Sequence, residues 1–379
     1  MDDRIRSLKA RAKLETARQG APGIGTANVP CTCGELVQGV LEGEPFLVSC
    51  PIDRYSRVRV CVGSPGQRGE VGLSGLDQAV VTTSAISDQQ ERTTEVVTTG
   101  VMPGPSSPRT TLAVHGGRGH DKARLAAAAT LALLGYPEAP FTMEVSRPLP
   151  PSKGFGTSTA DVVGAIVAAA AAVEASLDPE EVARLAAAIE PSDSTMFPGL
   201  AFFNHRSGRQ WEILGPSPSL TIAVLEFEGD VDTLDYNARL DLSVLRSMEP
   251  AHATALEMLW RGLKTGQPEL IGQAATASAR INQLLLPKPE LEGLISLGER
   301  FDALGVCVAH SGTAAGVLFG SGESQSARRL LAEARGSLKG LQGGWLSRMV
   351  GGGPRVLSVV GESRQVVSSR FERKVFPVD

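Results

Sequence analysis

The stretch "PPSKGFGTSTADVV", Pro150 to Val163, constrains the fold more than any other. Two prolines and two glycines break regular structure, three hydroxyls follow in a row, and an alanine-rich run to Ala175 begins at once. That order predicts a loop feeding directly into a helix from about Thr159 to Ala175. Gly154 and Gly156 open backbone geometry closed to other residues, so successive N–H groups can turn toward an anion. The helix start adds unpaired N–H groups and a positive dipole end. A plainer reading makes Ser158 the helix cap, with Asp161 completing a capping box. It leaves Lys153, Gly154 and the other hydroxyls without a role. A third reading takes Ser158 as a nucleophile on a strand-to-helix elbow, with "HGGRG" (115–119) as an oxyanion string and His205, His252 or His310 as base. The three prolines at 148, 150 and 151 separate that serine from the preceding strand, which an elbow does not allow.

Around this loop the chain alternates strand and helix signals. "PFLVSCPIDRYSRVRVCVG" (45–63) reads as two strands bent at Pro51, and residues 64–108 as a long polar excursion. Helical spacing marks 122–135, and alternation marks a strand over 141–150. Asp178, Pro179 and Glu181 form an N-cap, a first-turn proline and a capping-box partner, and Pro191 ends that helix near Glu190. "GLAFFNH" and "RQWEILG" read as a hairpin. A second unit opens with the strand 219–227. Helices follow at 252–265, 270–286 and 324–335, with strands at "VCVAHS", "GTAAGVLF" and 354–360. The pattern is α+β, in two domains with a cleft between them. The boundaries are a mobile arm at 1–24, an N-terminal domain at 25–215 and a C-terminal domain at 216–379.

A net charge of −4 without a basic stripe argues against a nucleic-acid partner. No run approaches the ~20 apolar residues that span a bilayer, and the charged first twenty residues have no secretory core. A cytoplasmic protein is expected. Five cysteines, with one C-x-C pair and no histidine pattern beside it, suit reduced thiols rather than zinc.

"IEPSDSTMF" (189–197) places Glu190 and Asp193 just past a proline-broken helix. Such a pair is either a helix end and a cap, or a hard-oxygen ligand and a base. "AHSGTAAGVLF" (309–319) ends a strand in small residues that let a ligand approach backbone closely.

Pro150, Gly154, Gly156, Thr157, Ser158, Thr159 and Ala160 fit P-x-x-x-G-x-G-x-S-x-A, which resembles the central motif of the GHMP kinases, with Thr157 where a serine is more usual. "VPCTCGELVQG" (29–39) and "AHSGTAAG" resemble that family's first and third motifs. With "LVSCPIDRYS", "IEPSDSTMF" and "LLPKP", the blocks are similar to the L-threonine kinases of adenosylcobalamin synthesis. The resemblance implies a two-domain architecture, with a ribosomal protein S5 domain 2-like N-terminal domain and a ferredoxin-like C-terminal domain. It implies ATP and Mg²⁺ as cofactors and L-threonine as substrate, with homoserine or another small hydroxylated compound as the alternative. Pro150, Lys153, Gly154, Phe155, Gly156, Thr157, Ser158 and Thr159 would bind ATP, and Ser158 with Glu190 would hold the metal, Glu180 and Glu181 being the other carboxylates in range. Asp193 would be the catalytic base. Glu35, Gln38, Ser311, Gly312 and Thr313 would line the acceptor pocket. A homodimer is left open, as is a non-catalytic ATP or amino-acid sensor on the same fold.

Overall fold

The computed structural model of the 379-residue chain describes residues 23–63, 120–229 and 246–357. The readings of an arm before residue 23, of the polar excursion, of "HGGRG" and of strand beyond 357 lie outside the described residues.

Two long strands organise everything else. β1 (Gly23–Leu41) and β2 (Glu44–Val62) form an antiparallel hairpin. Its two-residue turn has Glu42 at φ 53° and Gly43 at φ 75°, the paired positive angles that match the twist of tight hairpins. β2 runs through Pro51 without a break, because Pro51 faces Thr32 where β1 is itself irregular. The register slips between Pro30 and Thr32, between Thr32 and Glu35, and between Glu35 and Val37. Such bulges re-aim side chains, and here they do so beside the opening loop.

β3 (Phe141–Ser146), β4 (Leu200–Phe203), β5 (Trp211–Gly215), β6 (Leu220–Phe227), β7 (Gly305–Val308), β8 (Ala315–Gly320), β9 (Leu341–Arg348) and β10 (Arg355–Leu357) complete one antiparallel sheet. Its order is β5-β4-β2-β1-β7-β8-β6-β9, with β3 on β2 and β10 on β1. The β1–β7 join rests on one register pair, Glu35 with Val308. Gly34 (φ 66°) makes it possible, since a Cβ there would stand 2.3 Å from the Val308 carbonyl carbon.

Helices α1 (Asp121–Leu133), α2 (Thr157–Ala172) and α3 (Pro179–Ile189) belong to the first half of the chain. α4 (Glu249–Thr265), α5 (Pro268–Asn282), α6 (Leu291–Arg300) and α7 (Ser324–Ser337) belong to the second. α3 carries the full capping box between Asp178 and Glu181 and stops at Ile189, as its sequence predicts. The alanines of α2 are a close-packing device. Cβ atoms on Gly23 and Gly25 would meet the Ala172 and Ala168 carbonyl oxygens at 1.7 and 2.0 Å, so the helix backbone lies directly on β1. α4 and α5 also pack on β1. The strand is therefore buried along nearly its whole length. Residues 349–353 then cross back to the first half. Val350 and Gly352 donate backbone hydrogen bonds to Pro51 and Gly199, and Gly353 donates to Thr195.

Candidate active site

A cleft open to solvent collects many of the predicted residues. Its lining includes the chain from Gly154 to Thr159, Glu190, Asp193, Glu35 and Ser311. α2 begins two residues earlier than the sequence suggests, and its N-cap is Gly156 in the left-handed region (φ 61°), not Ser158. Gly156 has no alternative, because a Cβ would lie 2.1 Å from Asp193 Oδ2 and 2.6 Å from Thr32 Oγ1. None of the amides from Gly154 to Thr159 donates to a partner among the described residues. They form a row of unpaired donors at a helix start, the arrangement that holds phosphate.

The loop is fixed from behind by its carbonyls. Lys153 O accepts from the amides of Thr313 and Ala314, and Phe155 O accepts from the Thr32 amide. Gly154 and Gly312 are pressed together, a Cβ on Gly312 standing 2.4 Å from Gly154 N. The Lys153 ammonium donates to the Gly229 carbonyl at 2.7 Å, and Thr313 Oγ1 donates to Phe227 O at 2.9 Å. Those two side chains tie the loop to the end of β6, while Ser311 lines the cleft itself. Pro150 is exposed ahead of the loop.

Asp193 stands against the helix start. Its amide donates to Thr159 Oγ1 at 3.1 Å, and its Oδ2 accepts from Thr32 Oγ1 at 3.3 Å. Burial pushes its carboxyl up to about 6, with the charge of Glu190 adding and the Thr32 hydrogen bond opposing. Glu190 is buried and accepts from the Ser158 hydroxyl. Its other oxygen lies 2.5 Å from the Lys122 ammonium. Neither alternative carboxylate enters the cleft, since Glu180 pairs with Arg184 and Glu181 closes the capping box on α3. Ser158 Oγ and Glu190 are hard oxygens converging at the N-terminal end of α2. That donor set fits Mg²⁺, which takes one or two carboxylates and completes its shell from phosphate and water. Among the described residues no cluster of three metal-binding side chains exists.

Behind Asp193 lies Glu35, 3% exposed. Its Oε2 has no hydrogen-bond partner. Burial, then the charge of Asp193, hold its carboxyl well above the usual range, against a hydrogen bond from Ser49. Gln38 is also buried, and its Oε1 accepts from His310 Nδ1 at 2.6 Å. Burial, with Arg206 and Lys288 nearby, pushes His310 down to about 3, so the ring is neutral. Glu35 and Gln38 look like surface turn residues in isolation; β7, α4 and α5 bury them. Asp161 does not cap α2. It is buried under the helix and accepts from Arg147 and Ser56.

Sequence reasoning missed Thr32, Lys122 and Lys288. Thr32 sits between two buried cysteines and carries no pattern of its own. The sole signal for Lys122 is a single cation heading an otherwise alanine-rich helix. Lys288, within "LLPKP", donates to the Ala309 carbonyl at 3.2 Å and is pushed down by burial to about 8.

Residues 122–198 match the GHMP kinases N terminal domain, and residues 260–340 the GHMP kinases C terminal domain. L-threonine kinases from Citrobacter freundii and Salmonella typhimurium are each 30% identical over 298 residues. That stretch is 78% of this chain, 86% of the first enzyme and 83% of the second. A homoserine kinase structure from Cytophaga hutchinsonii superposes with a TM-score of 0.63 at 13% identity, over 90% of this chain and all of the other. The Ser158 hydroxyl, which could also be read as a hydrolase nucleophile, donates to the Glu190 carboxylate at the start of α2. The chain belongs to the GHMP kinase family and is an ATP-dependent kinase.

Proposed function

We propose that the chain transfers the γ-phosphoryl group of ATP to the side-chain hydroxyl of L-threonine. The product, O-phospho-L-threonine, would serve synthesis of the aminopropanol linker of the cobalamin nucleotide loop. One juxtaposition carries this reading: unpaired amides at the start of α2 face the Asp193 carboxylate, with the partnerless Glu35 oxygen behind it. The amides from Gly154 to Thr159 hold the phosphate oxygens. Asp193 orients the acceptor hydroxyl and takes its proton as that oxygen bonds to the γ-phosphorus and the bond to the ADP oxygen breaks. With a carboxyl pushed up to about 6, it is a base at neutral pH and close to the optimum for the task. Ser158 and Glu190 would hold Mg²⁺, which neutralises phosphate charge.

Glu35 favours an acceptor bearing an amine. A buried carboxylate oxygen without a partner is unfavourable until a cation meets it, and an amino acid brings an ammonium group. The L-threonine kinase relatives support threonine among such acceptors. Threonine and homoserine share the ammonium group and the hydroxyl, and pockets discriminate one methylene by only about 1–3 kcal/mol. ADP release measured with L-threonine, L-serine, L-homoserine and mevalonate tests the assignment. Threonine is expected to give the highest kcat/KM and mevalonate none above background. A preference for homoserine would replace the substrate, and activity on mevalonate would remove Glu35 from acceptor selection.

A further inference from the structure

A second recess adjoins the cleft, with His205 and His310 in the walls of both. Gln38 and Gly39 of β1, His252 of α4 and Asn282 of α5 line it further. Its donors lack acceptors. Gln38 is 4% exposed and gives its side-chain oxygen to His310, while its Nε2 has no hydrogen-bond partner. Asn282 is equally buried, and its Nδ2 is also without a partner. His252 accepts from the Val40 amide at Nδ1, 3.2 Å away. Burial pushes that ring below the usual histidine range, so at neutral pH it carries its one proton on Nε2. Three N–H donors thus belong to one recess, and none of its described lining residues is a carboxylate. Buried donors left without an oxygen are unfavourable and rare.

The surrounding frame fixes these groups. Ser278 Oγ on α5 accepts from the Gln38 amide at 2.9 Å. Gly39 admits the His252 ring, since a Cβ there would stand 2.3 Å from its Cγ. The charges acting on the neighbouring His310 are both positive, those of Arg206 and Lys288. Positive potential beside a donor-lined recess favours an anion.

β1 joins this recess to the cleft. Residues three apart on a regular strand point to opposite faces. Here the register slip between Glu35 and Val37 sets Glu35 opposite Ser49 and Gln38 opposite Leu47, two positions apart on β2. Glu35 and Gln38 therefore share one face of the sheet. With Glu35 on the ammonium and Asp193 on the hydroxyl, the remaining polar group of an amino acid is its carboxylate, which accepts at two oxygens and donates nothing. We propose that the recess holds the acceptor's α-carboxylate on the side-chain N–H groups of Gln38, Asn282 and His252. This rests on the reading that the acceptor is an amino acid. It makes these residues a specificity device that rejects amino alcohols lacking the acid group.

L-Threoninamide tests the assignment, because it keeps the ammonium and hydroxyl and puts a neutral amide in place of the carboxylate. In ADP release by the full chain, kcat/KM is expected to be at least about 10²-fold lower with L-threoninamide than with L-threonine, as hydrogen bonds to a charged acceptor are lost. In Asn282→Leu, kcat/KM for L-threonine is expected to fall at least about tenfold, through KM, with L-threoninamide changed less than about twofold. Thermal melting reports folding, and Asn282→Ala carries the same comparison should the leucine variant not fold. Equal kcat/KM for the acid and its amide in the parent overturns the inference and leaves the kinase reading standing. An equal fall for both compounds in the variant makes Asn282 structural and also overturns it. So does an unchanged kcat/KM for L-threonine, which would mean that the recess holds water only. No ADP release with L-threonine, L-serine or L-homoserine removes the amino-acid acceptor itself, and this site with it.

Discussion

At the scale of single residues, the cleft stores two carboxyl groups in places that penalise their charge. Asp193 ordinarily titrates at 3.8 and is raised to about 6, so the folded chain binds that proton more tightly than the unfolded chain does. The stabilising contribution is complete below about pH 4 and is lost as pH rises through about 6. Asp193→Asn should therefore melt at the same temperature as the parent or up to about 3 °C higher at pH 7, while turnover falls at least about 10²-fold. Near-normal turnover would remove Asp193 from the reaction, and a large loss of stability would make it a structural residue. Glu35 gives a separate signature. Its carboxyl is held above the usual range in the free chain, so an incoming ammonium must draw its proton away. KM for the amino acid should fall as pH rises through that group's titration, and the Glu35→Gln variant should show a weaker, pH-flat KM. A KM that is level with pH in the parent enzyme would show that Glu35 does not meet the amine. These positions differ in how far the sequence announces them. Glu190 and Asp193 follow a proline break and Gly154 and Gly156 flank a hydroxyl run, so local chemistry makes them visible. Glu35 is invisible locally, because Asp193 and Val308, both far off in the chain, close in on it.

Among the elements, α2 is the one whose composition is explained by its neighbour rather than by its own propensity. Its alanines were legible as helix, yet their purpose was not, because Gly23 and Gly25 lie far upstream. Gly25→Val should cost about 1–3 kcal/mol or more, since its first side-chain carbon already lands 2.0 Å from the Ala168 carbonyl. Urea denaturation measures the loss, and an unchanged midpoint would mean that helix and strand are not in contact there. Ser158 was legible as a hydroxyl at a helix start, but the left-handed Gly156 moves the cap two residues earlier and leaves that hydroxyl to donate to Glu190. β9 escaped the sequence altogether. Gly343 and Gly344 interrupt its alternation, and Gly344 is required by the approach of Val224 O to 2.9 Å from a Cβ.

For the whole molecule, the continuous sheet matters more than any boundary between its halves. β10 pairs Leu357, Val356 and Arg355 with Thr26, Ala27 and Asn28 of β1, covering an edge that β7 leaves open. A chain stopped after Gly353 would expose that edge, and exposed edges invite pairing between molecules. It should melt lower than the full chain and show concentration-dependent association by light scattering. A monomeric truncation with the parent's melting temperature would mean that β10 is dispensable.

Gly353 also hands a hydrogen bond to Thr195, two positions from the proposed base, and Val350 and Gly352 anchor on Pro51 and Gly199. The last described stretch thus closes a loop with the first. During synthesis, a ribosome would have to release roughly three hundred residues beyond Pro51 before the seat of Asp193 could be finished, and such distant closures are slow. The kinase would consequently acquire its activity late and all at once rather than half by half.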